Sequence, residues 1–145
     1  MILVDANILI YAYNPSADRH AAAKRWLEAA VAGPVPVRLA WVTILAFVRI
    51  MTHPQVFRRP LSLQEAVGIV DEWLRHPTVS VLDAGERHWP ILRGLLLDGQ
   101  AAGPLSTDAH LAALAIEHGA TLYTTDRDFS RFPGLAVVDP LREAS

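Results

Sequence analysis

Four aspartates stand where apolar stretches of this chain end or begin. Asp5 follows Ile2-Leu3-Val4, and Asp126 follows Leu122-Tyr123-Thr124-Thr125, with Asp128 two residues on. Asp108 falls in the first turn of a helix-like run. A carboxylate at the edge of a buried strand is costly unless it is hydrogen-bonded, paired or bound to metal. In open parallel sheets, ligands bind beyond the C-terminal ends of the strands, at a topological switch point. If the Ile2 and Leu122 strands are neighbours, Asp5 and Asp126 share one mouth, and the helix before the second strand brings Asp108 to it. Acids crowded together repel one another unless protons or a cation compensate. An oxygen-only donor set suits Mg²⁺ or Mn²⁺ rather than zinc. The chemistry that follows is metal-dependent hydrolysis of a phosphodiester by a positioned water.

Each acid also has a structural reading. Asp108 by itself could serve only to favour a helix N-terminus. Asp128 could cap the short turn after Asp126, and Asp83 and Asp139 read as turn residues. Asp5, with apolar flanks on both sides, is the hardest to explain without a ligand.

The elements that must position these acids alternate between short apolar runs and helical periodicity. That alternation predicts an α/β domain with a mainly parallel sheet. Strands are expected near Ile2–Val4, Val35–Trp41, Val79–Leu82, Thr121–Thr125 and Leu135–Val138. Helices are expected over Ile8–Tyr13, Ser16–Ala32, Ile44–Met51 capped by Thr43, the stretch after the capping box Ser62-Leu63-Gln64-Glu65, Glu86–Asp98, and Asp108–His118 capped by Ser106 or Thr107. Arg127–Arg131 is expected to be a turn or short helix.

At 145 residues and 52% apolar, the chain suits one domain with a sizeable core, residues 1–145. No apolar run approaches the roughly 18 residues of a membrane span. No basic segment precedes the first strand, so a signal peptide is not expected. The absence of cysteine removes disulfides and thiolate metal sites and fits a cytoplasmic protein. A net charge of −2 does not advertise nucleic-acid binding, so any such role must come from a local patch.

The motifs resemble the PIN-domain family. Met1 to Asn7 is similar to its opening, a hydrophobic run followed by Asp-x-Asn. Ser106 to Ala115 resembles its central Asp-Ala-x-x-Ala-Ala helix, and Leu122 to Phe129 resembles its Thr-x-Asp-x-Asp-Phe segment. The size and the Phe132-Pro133-Gly134-Leu135 ending resemble the VapC toxins of bacterial VapBC toxin–antitoxin pairs. The resemblance implies a three-layer α/β/α sandwich and a Mg²⁺- or Mn²⁺-dependent endoribonuclease. It also implies a homodimer and inhibition by a VapB-type antitoxin. Residue by residue, it implies metal held by Asp5, Asp108 and Asp126, with Asp128 as a fourth, weaker ligand. Asn7 and Thr124 would support these by hydrogen bonding.

One position departs. The family's usual Glu, within a Leu-Ala-Glu-Leu-Arg-like run, aligns with Phe47 in Leu45-Ala46-Phe47-Val48-Arg49. The expectation is a ligand shell short of one carboxylate at Phe47. That departure motivates an alternative, a PIN-like module that binds RNA or a partner without cutting; a nuclease acting on DNA shares the same site. Arg49 could contact an RNA backbone, whereas Arg58 and Arg59 read as solvated surface. His20 and His110 read as packing residues, and Trp26, Trp41 and Trp73 as core or dimer interface.

Overall fold

A computed structural model describes residues 1–142. Five short strands form one all-parallel sheet in the order β3-β2-β1-β4-β5. They are β1 (Ile2–Val4), β2 (Val37–Leu39), β3 (Val79–Val81), β4 (Thr121–Tyr123) and β5 (Val137–Val138). The helices are α1 (Ala6–Tyr13), α2 (His20–Ala32), α3 (Trp41–Met51), α4 (Leu63–Arg75), α5 (His88–Asp98) and α6 (Leu105–His118). A 3₁₀ turn covers Arg127–Arg131.

Consecutive residues of a strand point to opposite faces of its sheet. Leu3 and Leu122 accordingly pack with α5 and α6 in one core, while Val4, Val37 and Leu39 pack with α1 to α4 in another. The result is the expected α/β/α sandwich. The chain builds β2 and β3 on one side of β1 and then returns to place β4 on the other. The switch point therefore lies between β1 and β4, as the acid-bearing strand ends require.

Several ends differ from the expected ones. Residues 16–19 form turns, and α2 begins only at His20. α3 begins at Trp41, after Ala40, and Thr43 is buried inside its first turn instead of capping it. α6 begins at Leu105 without a side-chain cap, and the Ser106 hydroxyl donates back to the Gly103 carbonyl. Core packing of single residues in these first turns, Val42, Thr43 and Ile44 of α3 and Leu105 of α6, favours the earlier starts over a cap, while Trp41, Ser106 and Thr107 stay exposed. The capping box of α4 is present: Ser62 Oγ accepts from Glu65 N at 3.1 Å and Glu65 Oε1 accepts from Ser62 N at 3.0 Å. Gly119 ends α6 in the left-handed conformation, φ 66°, which a side chain would strain.

Candidate active site

The register of β1 on β4 builds the centre. Val4 faces Tyr123, and the ladder runs one step further through Asp5 N–H to the Tyr123 carbonyl, 3.0 Å. Asp5 and Thr124, the next residue of each strand, therefore stand side by side. The buried Thr124 hydroxyl donates to Asp5 Oδ2 at 2.7 Å. Thr124 Oγ1 in turn accepts from Asp126 N at 3.0 Å and from Asn7 Nδ2 at 3.3 Å. Asp5 Oδ1 accepts from Ala6 N at 2.7 Å, which caps α1. One hydroxyl thus ties the end of β1, the start of α1 and the loop after β4 into a single unit.

Asp108 enters from the first turn of α6. Ligand oxygens of Asp108, Asp126 and Asp128 lie within 4.8 Å of one another, a spacing one cation can span. Asp126 Oδ1 caps the following 3₁₀ turn by accepting from Asp128 N at 2.9 Å, so Asp126 is the cap and Asp128 is free to face the cluster. Asp5 lies beside this trio, with both of its oxygens already accepting hydrogen bonds.

The electrostatics are those of an uncompensated acidic mouth. Burial, followed by repulsion from Asp126, Asp5 and Asp128, pushes Asp108 up to about 6, and Arg131 offsets only part of this. Burial likewise raises Asp5 against the lowering effect of Thr124 and Ala6. Asn7 Oδ1 is buried without a hydrogen-bond partner. Closely spaced oxygen donors that resist ionising together, with one further orphaned oxygen nearby, fit a divalent cation.

A cavity of about 520 Å³ opens beside the acids. Asp5 and Ala6 reach it from the β1–α1 junction, and Thr107, Asp108 and Leu111 from α6. α3 contributes Val42, Leu45, Ala46 and Arg49, a stripe at helical spacing, together with the buried Thr43. Asp126 and Asp128 do not line it. The expectation at Phe47 is corrected here. Phe47 is fully buried, 4.7 Å ring to ring from Trp73 and 5.7 Å from Tyr13, on the face of α3 turned away from the acids. Ala46 is the neighbour that faces the cavity. The helix does lack an acid towards the site, but Phe47 leaves no gap in a ligand shell.

The remaining candidates separate clearly. Arg49 lines the cavity, and Arg58 and Arg59 do not. His20 Nδ1 lies 2.9 Å from the Tyr11 carbonyl, and His110 pairs with His88 at 2.9 Å between α6 and α5. Trp73 is core and Trp26 stacks on Tyr123, while Trp41 is 53% exposed. Two features escaped the sequence reading. The apolar cavity wall carries no motif, and Arg131, which acts on Asp108, follows the acidic segment without a distinguishing pattern.

No helix among the described residues is long and apolar enough to cross a membrane. The family model "PIN domain" matches residues 2–135. Ribonuclease VapC37 of Mycobacterium tuberculosis is 42% identical over 135 residues, 93% of this chain and 94% of that protein. Ribonuclease VapC33 of the same species is 40% identical over 143 residues, 99% and 100% of the two chains. Among solved structures, VapBC2 from Rickettsia felis bound to a promoter DNA fragment matches with TM-score 0.70 at 19% identity, covering 95% of this chain and 98% of the other. The M. tuberculosis sarcin-ricin loop cleaving toxin VapC20 matches with TM-score 0.67 at 21% identity, covering 90% and 93%. The strand order that joins Asp5 to Thr124, the match along nearly the whole chain and relatives above one-third identity agree: this chain belongs to the PIN-domain family, in its VapC-type branch.

Proposed function

We propose that the chain is the toxin component of a type II toxin–antitoxin pair and hydrolyses RNA phosphodiester bonds endonucleolytically with Mg²⁺, for which Mn²⁺ substitutes. The observation that carries this reading is the carboxylate trio within 4.8 Å at the β1–β4 switch point. Asp108, Asp126 and Asp128 would hold the cation, with Asp5 completing the site from its flank. When bound, the cation supplies positive charge for the phosphodiester oxygens and lowers the pKa of the attacking water. Two carboxylate oxygens from among Asp5, Asp108 and Asp126 would accept that water's two hydrogens and so orient it. Thr124 aims Asp5 by donating to it and partly offsets the effect of burial on its carboxylate, and Asn7 holds Thr124 in place. Arg49 neutralises a flanking phosphate at the cavity rim.

A VapB-type antitoxin, a cytoplasmic location and a single domain over 1–145 complete the proposal. Trp41 and Trp89, 53% and 61% exposed, support homodimerisation, because large exposed aromatics favour a covered surface. A second reading, an RNA- or partner-binding module that does not cut, is favoured by the absence of an acid on the cavity-facing stripe of α3. Incubation of structured RNAs with Mg²⁺ or Mn²⁺ and an EDTA control separates the two. The ribonuclease reading expects metal-dependent cleavage that Asp5→Asn abolishes. Cleavage by that variant at the wild-type rate would refute the site assignment, and RNA binding without any cleavage would establish the module.

A further inference from the structure

Three polar side chains are buried among the described residues: Thr43, His88 and Thr124. Two of them have partners. Thr124 donates to Asp5, and His88 meets His110 at 2.9 Å. Thr43 is 2% exposed, in the first turn of α3, and no side-chain hydrogen bond holds its hydroxyl among the described residues. Thr52, just past the other end of the same helix, shows the usual alternative: its hydroxyl turns back on the Val48 carbonyl at 2.6 Å. Nor is the Thr43 hydroxyl sealed in. The sealed, unpartnered side-chain atoms are Asn7 Oδ1 and His88 Nδ1. Thr43 lines the cavity that Asp5 and Asp108 also line, so its hydroxyl opens there. The other hydroxyl of that lining, Thr107, belongs to an exposed residue.

A hydroxyl in such a place is costly unless something bonds it. Valine has nearly the same shape and would pack there with no polar atom to satisfy. The rest of the lining narrows the choice of partner. Val42, Leu45, Ala46 and Leu111 give it aliphatic carbon, and Arg49 gives it a cation. A phosphate oxygen bonds more strongly to Arg49, or to a cation on the acids, than to a neutral hydroxyl. A sugar suits both features: its carbons tolerate an aliphatic wall, and its 2′-hydroxyl is a neutral donor and acceptor, as Thr43 is. We propose that Thr43 Oγ1 bonds the 2′-hydroxyl of a ribose adjoining the phosphate engaged at the acids, and is the residue by which this site tells RNA from DNA. A deoxyribose in the same place leaves the buried threonine unpaired. A site built to bond a hydroxyl rejects the analogue that lacks it.

The inference rests on the ribonuclease reading for the polymer, but its test does not need cleavage. The probes are a fluorescein-labelled RNA hairpin, its DNA counterpart, and copies of the RNA with one 2′-deoxy sugar at each position in turn. Each is titrated by anisotropy with the full chain, with Ca²⁺ in place of Mg²⁺. One deoxy position should weaken wild-type binding roughly tenfold. Thr43→Val should weaken binding of the all-RNA hairpin by the same factor, leave DNA binding unchanged, and be indifferent to the deoxy sugar at that one position. Thr43→Ser should behave as wild type. Thr43→Val should also melt higher than wild type, because it removes an unpaired buried hydroxyl. A lower melting temperature, or failure to fold, would show that the hydroxyl holds the structure, and overturns the proposal. So would no RNA binding, no sensitive deoxy position, equal loss of RNA and DNA binding, or undiminished RNA binding by Thr43→Val. Weaker Mn²⁺ binding by Thr43→Val without RNA would assign the hydroxyl to the water shell of the cation, and also overturns it. Cleavage of the hairpin with Mg²⁺ but no sensitive deoxy position refutes the role of Thr43 alone. The deoxy effect without cleavage refutes the ribonuclease reading alone.

Discussion

Replacing Asp108 by Asn should make the metal-free protein more stable at neutral pH. Asp108 rises from its ordinary 3.8 to about 6 through burial and then through its acidic neighbours. The folded chain thus holds this proton more tightly than the unfolded chain does. The stabilisation is complete below about pH 4 and is lost as pH rises through about 6. At pH 7 the carboxylate is ionised and repelled, and Asn removes that repulsion. With solvent screening of a half-buried group allowed for, the gain is about 1 kcal/mol. For a chain of this size that is a Tm increase of about 3–4 °C. Calorimetry in EDTA from pH 4 to pH 8 should show the two melting curves converging at the acid end and separating towards neutrality. Mn²⁺ should then reverse the order, because only the wild-type cluster binds it well; a site filled at 100 times its Kd gains about 2.7 kcal/mol. An Asp108→Asn protein less stable than wild type at pH 7 in EDTA, or a difference independent of pH, would refute the account of the acidic mouth.

Thr124→Val should cost about 1–3 kcal/mol, since Asp5 and the Asp126 amide each lose a partner, and should lower cleavage; Thr124→Ser should restore both, as read by denaturant melts and initial rates. Phe47→Glu should fail to fold, because it buries a charge between Tyr13 and Trp73, whereas Ala46→Glu should fold and bind Mn²⁺ more tightly by titration calorimetry; a folded Phe47→Glu with improved metal binding would reverse the assignment of the α3 faces. Ser62→Ala should lower stability by about 1 kcal/mol through loss of the capping box on α4 and leave metal binding unchanged.

The acids were legible because strand ends can be read from apolar runs, but their meeting depended on a β1–β4 pairing that the sequence left as a condition and the fold supplies. The family motifs named Asn7 and Thr124, and the geometry of the Thr124 hydroxyl gives them their task. The face of α3 was not legible. Phe47 and Ala46 are adjacent, and one residue turns a helix by about 100°, so a motif alignment cannot say which of them meets the acids. Packing of Phe47 against Trp73, a residue of a later helix, sets that phase. Helix starts at Trp41 and Leu105 were missed for a related reason. The residues there look like strand and loop locally, and tertiary docking overrules them.

Thr124 also imposes an order in time. It bonds Asp5 across 119 residues of sequence, so the centre draws on both ends of the chain. At a synthesis rate of roughly 5–20 residues per second, the ribosome delivers the second half of the centre roughly 6–24 s after the first. A nascent chain that stops before Thr124 contains Asp5 and Asp108 but cannot bring the loop of Asp126 and Asp128 to meet them. A centre built this way cannot assemble on a nascent chain until Thr124 and the loop of Asp126 and Asp128 have been synthesised.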